Sequence, residues 1–323
     1  MLFLKSFLEE DFPLFQSDLP EEIRKKRHMR SRRENIQALH FPTSSTDFLR
    51  AREELGYEEL FHFQYRGIAK KHALEEESLG ASLMTTLDSD LMRELIGGLP
   101  FALTDKQKIV LFQILKDMEK PHAMMRLLQG DVGTGKTIVA LLVAIHMILS
   151  HREKARIQVA FMVPTEILAS QHFQNSENLL RHYGITSALL TGSIAPKEKE
   201  SIKDQIRGGD VEILFGTHAL IQDSVRFASL GFVIVDEQHR FGVEQRKALE
   251  HFFSGDEKNG FYPHRLNMSA TPIPRTLALT LYGDQDISVL NEYPVGRKPI
   301  HTKIVKSQKR EEVYRFIEEL IRE

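Results

Sequence analysis

The run Gly130-Asp131-Val132-Gly133-Thr134-Gly135-Lys136-Thr137 has the residue types and spacing to hold a polyphosphate. It matches the phosphate-loop pattern GxxxxGK[ST] in the right context: the apolar run MMRLLQ precedes it and the helix-patterned IVALLVAIHMIL follows. Glycines let backbone N–H groups curl around phosphate oxygens, and the positive end of the following helix adds to the attraction. Lys136 is expected to neutralise the β and γ phosphates, and Thr137 to ligate magnesium through its hydroxyl. About a hundred residues on, the apolar run Phe232-Val233-Ile234-Val235 ends in Asp236 and Glu237. A buried strand that stops at two carboxylates delivers them to the carboxyl edge of a sheet, where α/β proteins bind ligands. Asp236 is assigned to magnesium, and Glu237 to orienting and polarising the water that attacks the γ-phosphate. An acidic pair after a strand is a common surface turn; its pairing with the phosphate loop makes the two an NTPase site.

The elements that must position these groups follow from hydrophobic periodicity. Residues 1–95 read as helical, with apolar residues at helical spacing among many Glu, Lys and Arg. Pro20 is placed at the first helical position of EEIRKKRHMRSRRENIQAL, and Asp47 is placed as the cap of a further helix. GYEELFHFQYRGIAKKHALEEE reads as another helix. From about Leu99, short apolar runs alternate with helical ones. Strands are expected at Met124–Gln129, Gln158–Val163, Ser187–Leu190, Val211–Phe215, Phe232–Val235 and Arg265–Met268. That alternation implies a parallel sheet with helices on both faces. After Asn291 a turn-like NEYPVGRKP, a strand-like HTKIV and a helical QKREEVYRFIEELIRE read as the start of a second α/β domain.

Composition narrows the class. The 323-residue chain has no cysteine, so neither a disulfide framework nor a thiolate zinc site is available. The net charge of −2 does not decide for or against nucleic acid. The apolar start of the chain is broken by Lys5 and by Glu9, Glu10 and Asp11, which rules out a signal sequence. The apolar stretch Ile138–Leu149 is too short to span a bilayer, so no membrane role and a cytoplasmic location are expected. The basic run Arg24, Lys25, Lys26, Arg27, Arg30, Arg32 and Arg33 puts Lys26, Arg30 and Arg33 on one helix stripe. Acid-balanced, solvated packing outweighs phosphate binding as its explanation. Phe61, Phe63 and Tyr65 read as core rather than as stacking platforms.

Asp236-Glu237-Gln238-His239 is also the box of the DExH helicases, and the order of motifs resembles helicase superfamily 2. Thr104 and Gln107, in LTDKQ, resemble the glutamine motif, in which Gln107 offers a donor and an acceptor to adenine. Ser269-Ala270-Thr271 resembles the motif that couples nucleotide state to nucleic-acid grip, together with Gln238 and His239. Pro164-Thr165, Thr191-Gly192 and Gly216-Thr217-His218 match the family's backbone contacts. Hydroxyls, glycine N–H groups and helix N-termini suit phosphates without reading bases. Within the superfamily, LPFALTDKQ, GDVGTGKT, DEQHRFGVEQR, MSATPIPRTLALTLYGD and PVGRKP resemble the bacterial RecG DNA helicases. Much of the set is shared with transcription-repair coupling factors; Gln238-His239 favours RecG. Arg240 and Arg275 are candidates for nucleotide or DNA contact.

The resemblance implies a RecA-like P-loop NTPase fold. It divides the chain into a helical region over 1–95, an ATP-binding motor domain over 96–295, and the beginning of a second motor domain over 296–323. It implies ATP and Mg2+ as cofactors and DNA, branched or forked, as partner. The family's wedge domain and most of its second motor domain are expected to be missing, which leaves a chain of low turnover. An inactive nucleotide- or DNA-binding fragment and a DExH RNA helicase are the competing readings.

Overall fold

The structure is a computed structural model and describes residues 17, 19–222, 224–242, 244–245, 248–249, 252, 262–271, 283–294, 302 and 304–322. Arg275, the PIPRTLALTLY stretch and the VGRKP junction lie outside the described residues.

Seven parallel strands form one sheet in the order β3-β4-β2-β5-β6-β1-β7. They are β1 (Met125–Gly130), β2 (Gln158–Met162), β3 (Ser187–Leu190), β4 (Ile213–Gly216), β5 (Leu230–Asp236), β6 (His264–Ser269) and β7 (Asp286–Leu290). The central strands are nearly continuous apolar runs because both faces are covered. Alternate side chains go to opposite faces, as strand geometry requires. Val159, Phe161, Phe232 and Ile234 face a core shared with α4 (Ser89–Gly97), α5 (Asp105–Met118), α6 (Lys136–His151) and α7 (Glu166–His182). Ala160, Met162, Val233 and Val235 face the other core, which includes Ile206 of α8 (Pro196–Gly208) and Leu220.

Six strands fall where periodicity predicts, with ends shifted by one or two residues, and β7 is additional. Ser288 and Leu290 are buried while Val289 is exposed. A half-exposed edge strand next to an acidic turn carries too little apolar signal to read from sequence.

The helical region departs further from expectation. EEIRKKRHMRSRRENIQAL is not one helix but α1 (Glu21–Lys26) and α2 (Arg32–His40). Pro20 stands at the N-cap rather than the first helical position. His28 has φ 50°, and Ser31 caps α2 in a reciprocal capping box with Glu34. The break removes the stripe of Lys26, Arg30 and Arg33. Arg30 instead pairs with Asp47 at 2.6 Å and Arg32 with Glu58 at 3.3 Å, so these two cations are balanced by acids. Ser44, not Asp47, caps the next helix; Asp47 accepts hydrogen bonds from the Thr43 N–H and hydroxyl. That helix, α3 (Ser45–Glu77), absorbs the separately predicted GYEELF segment into 33 continuous residues. Its apolar residues point in all directions. Phe63 and Tyr65 are exposed and Phe61 only half-buried, so none of them is core. Residues 78–88 are mostly non-helical.

Helix α3 lies across the β7 edge. A Cβ on Gly67 would meet the Gly283 Cα at 2.9 Å, and Lys71 pairs with Asp286 at 2.9 Å. Residues 83–88 are tied by histidines to the sheet and to α6. The buried His264 accepts from the Met124 N–H at 2.9 Å, so its Nε2 carries the proton donated to the Leu83 carbonyl at 2.6 Å. His146 accepts from the Asp88 N–H at 3.0 Å. Helix α9 (Arg310–Arg322) forms as predicted. Of the expected strand HTKIV, the described Thr302, Ile304 and Val305 are not in a strand. No described helix is long and apolar enough to cross a membrane.

Candidate active site and nucleic-acid rim

All strands being parallel, every motif after a strand emerges at the same carboxyl edge. The phosphate loop follows β1, Asp236 and Glu237 close β5, and Ser269-Ala270-Thr271 closes β6. These three strands are contiguous in the sheet. Pro164-Thr165, Thr191-Gly192 and Gly216-Thr217-His218 follow β2, β3 and β4, which are also contiguous.

The phosphate loop turns on left-handed residues that favour glycine: Gly133 at φ 81° and Gly135 at φ 84°. Gly135 caps α6, whose first two residues are Lys136 and Thr137, so the helix N–H groups open toward the loop. A Cβ at Gly135 would fall 2.2 Å from the Gln107 Nε2. Lys136 folds over the loop and donates to the carbonyls of Gly130 at 2.6 Å and Asp131 at 3.1 Å. Burial lowers its ammonium pKa, against the opposing pull of Asp236, Glu237 and Asp131. Thr134 is buried and donates to the Asp131 carbonyl at 2.8 Å. Asp131, Val132 and Gly133 form the exposed outer bend. Tyr293, beyond β7, donates its hydroxyl to Asp131.

Gln107 is buried beneath this loop. Its Nε2 donates to the Thr134 carbonyl at 2.8 Å and its Oε1 accepts from the Thr104 N–H at 2.8 Å. The Thr104 hydroxyl caps α5 through the Gln107 N–H. The amide predicted to read adenine thus ties the α5 cap to the phosphate loop.

Asp236 ends β5 with its Oδ2 3.5 Å from His172 Nε2 on α7, while its buried Oδ1 has no hydrogen-bond partner among the described residues. Glu237, like His28 a non-glycine residue at positive φ, is held at φ 50°, ψ 47°, a conformation that costs of order 1–3 kcal/mol and clusters at functional sites. Its N–H bonds the Met268 carbonyl at 2.9 Å, and its Oε1 accepts from the Ala270 N–H at 2.7 Å. Its Oε2 lies 3.2 Å from His239 Nδ1. The Ser269 and Thr271 hydroxyls are 2.9 Å apart. The acid box and the Ser-Ala-Thr loop are therefore directly bonded. Gln238 and Arg240 belong to the same 3-10 turn as His239, with Arg240 exposed.

On the other half of the rim, Thr165 caps α7 by accepting from the Leu168 N–H at 3.3 Å. Thr191 is buried, with its hydroxyl 3.2 Å from that of Ser193. The Glu166 carboxylate lies against Gly192, where a Cβ would fall 2.6 Å from its Oε1. Gly216 and Thr217 are buried and His218 exposed. Sequence reasoning missed His172 and Glu166. Neither belongs to a local pattern, and only the packing of α7 against its neighbouring loops discloses them.

Residues 104–280, more than half of the chain, match the DEAD/DEAH box helicase family. The chain is 48% identical to the ATP-dependent DNA helicase RecG of Aquifex aeolicus (strain VF5), over 81% of this chain and 32% of that protein. It is 42% identical to RecG of Thermotoga maritima, over 97% of this chain and 39% of that protein. It is 41% identical to RecG of Bacillus subtilis (strain 168), over 99% and 45% respectively. The chain thus spans less than half the length of these relatives. A solved structure of RecG bound to a three-way DNA junction superposes with a TM-score of 0.78 at 38% identity, covering 99% of this chain and 42% of that one. The helicase MrfA bound to DNA shares the fold, with a TM-score of 0.52 at 19% identity over 71% of this chain and 34% of that one. The chain belongs to the DEAD/DEAH box helicase family.

Proposed function

We propose that this chain is the ATP-binding part of a RecG-type DNA motor, one that couples ATP hydrolysis to remodelling of branched DNA. One observation carries the reading: the Ala270 N–H bonds the Glu237 carboxylate at 2.7 Å. The group placed to activate water is thereby fastened to the loop that reports nucleotide state. The phosphate loop cradles the β and γ phosphates through its N–H groups, with Lys136 leaving the Gly130 and Asp131 carbonyls to reach them. Asp236 and Thr137 fit Mg2+: both supply oxygen, and the Asp236 Oδ1 is buried without a partner among the described residues. Bound there, the cation supplies charge neutralisation between the phosphates. Glu237 orients the attacking water, and Gln238, His239 and Ser269-Ala270-Thr271 relay its state. Gln107 and Thr104 carry the adenine side to the phosphate loop.

Pro164-Thr165, Thr191-Gly192 and Gly216-Thr217-His218 grip the DNA backbone from the neighbouring half of the same edge. The branched-DNA preference rests on the similarity to the junction-bound RecG structure. In this reading, residues 1–95 connect to the motor, 96–295 form it and 296–323 begin a second motor domain, of which α9 is an element.

The test is ATP binding and hydrolysis with and without a three-way DNA junction, beside Lys136→Ala. Binding weakened about 10- to 100-fold in the variant, the size of a lost charge-assisted contact, is expected. Nucleotide binding indifferent to Lys136 sinks the ATP site. Stimulation by RNA rather than DNA assigns the chain to RNA instead.

A further inference from the structure

The chain leaving β7 is bonded to both nucleotide motifs. Strands β7 and β1 pair in parallel with Leu290 opposite Gly130, so the segment after β7 emerges beside the phosphate loop. The two strand ends touch: a Cβ at Gly130 would lie 2.9 Å from the Leu290 Cβ and from its carbonyl oxygen. Two residues on, the Glu292 carboxylate accepts from the Lys106 N–H at 3.1 Å. That N–H lies in the first turn of α5, where a helix has backbone donors it cannot satisfy itself and favours an acid. The next residue, Tyr293, is exposed and donates its hydroxyl to the Asp131 Oδ2. Asp131 in turn organises the outer bend of the phosphate loop. Its Oδ1 accepts from the Val132 N–H at 2.7 Å, and its carbonyl accepts from the Thr134 N–H at 3.3 Å and hydroxyl at 2.8 Å. Gln107 joins α5 to the same loop from beneath. Glu292 and Tyr293 join the same two elements from outside.

We infer that Glu292 and Tyr293 are positioning residues of the nucleotide site: they clamp the phosphate loop to α5 and make the chain beyond β7 respond to nucleotide occupancy. The inference rests on the proposed ATP site. Neither residue touches the nucleotide; Tyr293 acts through Asp131 and Glu292 through the start of α5. An acid in a loop that binds a polyphosphate opposes the charge of its ligand. The Tyr293 hydroxyl is a charge-assisted donor that fixes where the Asp131 carboxylate points and offsets part of that opposition. The tie matters most once ATP is bound. Lys136, which rests on the Asp131 carbonyl at 3.1 Å, is then drawn to the phosphates, and the side-chain bond to Tyr293 still holds the bend. A shift of Asp131 on nucleotide binding passes through that bond to the backbone that leaves the sheet.

The experiment is a titration of a fluorescent ATP analogue with Mg2+ into the wild-type chain, Tyr293→Phe, Glu292→Ala, Asp131→Ala and the Tyr293→Phe, Asp131→Ala double variant. Amide hydrogen exchange over residues 286–294 is followed with and without the nucleotide. Phe keeps the ring of an exposed residue, so Tyr293→Phe removes the hydroxyl and leaves the fold intact. Tyr293→Phe is expected to weaken binding about tenfold, the size of one charge-assisted contact. Glu292→Ala should weaken it less, by roughly threefold, the size of an acid at a helix start. In the Asp131→Ala background Tyr293→Phe should cost nothing further, because the acceptor is gone. Nucleotide should slow exchange over 286–294 in the wild type, and do so less in Tyr293→Phe. If the wild-type chain binds and Tyr293→Phe costs nothing, or costs as much without Asp131 as with it, the inference is overturned while the ATP reading stands. Exchange over 286–294 that ignores bound nucleotide overturns it equally. If the wild-type chain binds no nucleotide, the ATP reading falls and the inference with it.

Discussion

The two halves of the carboxyl rim are built on the same strands-and-loops plan but kept in different states. On the β5-β6-β1 half, polar groups are held ready and incompletely used. Lys136 rests on loop carbonyls, Asp236 keeps a buried oxygen without a partner among the described residues, and Glu237 is held in a left-handed conformation. On the β3-β4-β2 half, the described polar groups are largely satisfied by one another. Thr165 caps a helix, the Thr191 and Ser193 hydroxyls are 3.2 Å apart, and Lys199 donates to the Gly192 carbonyl. The difference matches the chemistry proposed for each. A hydrolytic site gains from preorganised, unspent charge, which is worth more in a partly desolvated cleft. A surface that grips and releases a backbone gains from weak contacts that trade partners.

The sharpest way to break this contrast is Glu237→Gln. The amide keeps the shape but cannot take a proton. If the proposed function holds, ATP hydrolysis is expected to drop by roughly 10²- to 10⁴-fold while nucleotide affinity is retained. Equal loss of binding and turnover, measured by titration calorimetry and phosphate release, would make Glu237 a scaffold residue and erase the distinction between the halves.

A second prediction concerns the opposite edge of the sheet, which supports both halves. Burial pushes the His264 pKa down from 6.5 to about 4, against the small upward pull of its Leu83 hydrogen bond. The unfolded chain therefore takes up a proton that the folded chain refuses. Stability from this group is fully present above about pH 6.5 and is lost as pH falls toward 4, in total about 3 kcal/mol at 1.36 kcal/mol per unit. Urea unfolding between pH 7 and 4 checks it. His264→Gln, which cannot titrate, should flatten the dependence; an unchanged slope would place the proton uptake elsewhere.

The smallest effect is expected from Thr165→Ala. Loss of the α7 cap should cost about 1 kcal/mol of stability, with nucleotide affinity untouched, because the bond the hydroxyl makes is to the Leu168 N–H in the first turn of α7. A change in ATP binding would show that the halves are coupled through α7, whose His172 reaches Asp236.

Sequence alone determined most of the sheet and the order of the motifs along its rim. Strand periodicity, the glycine-lysine-threonine loop and the carboxylate pair are local signals: strand geometry and the phosphate-binding turn are each set within a few residues. That is why six of the strands and the order of the motifs could be read directly. The helical region was less legible. Whether EEIRKKRHMRSRRENIQAL runs on or breaks depended on Ser31 capping α2 and on Arg30 and Arg32 pairing with acids of α3. Those partners lie outside any local window. The β7 edge, the docking of Gly67 on Gly283, the Gln107 bridge to Thr134 and the packing of Glu166 against Gly192 were likewise decided only in three dimensions. Each joins groups that are remote in sequence, and the free energy of a polar contact depends on which partner the fold brings within hydrogen-bond reach.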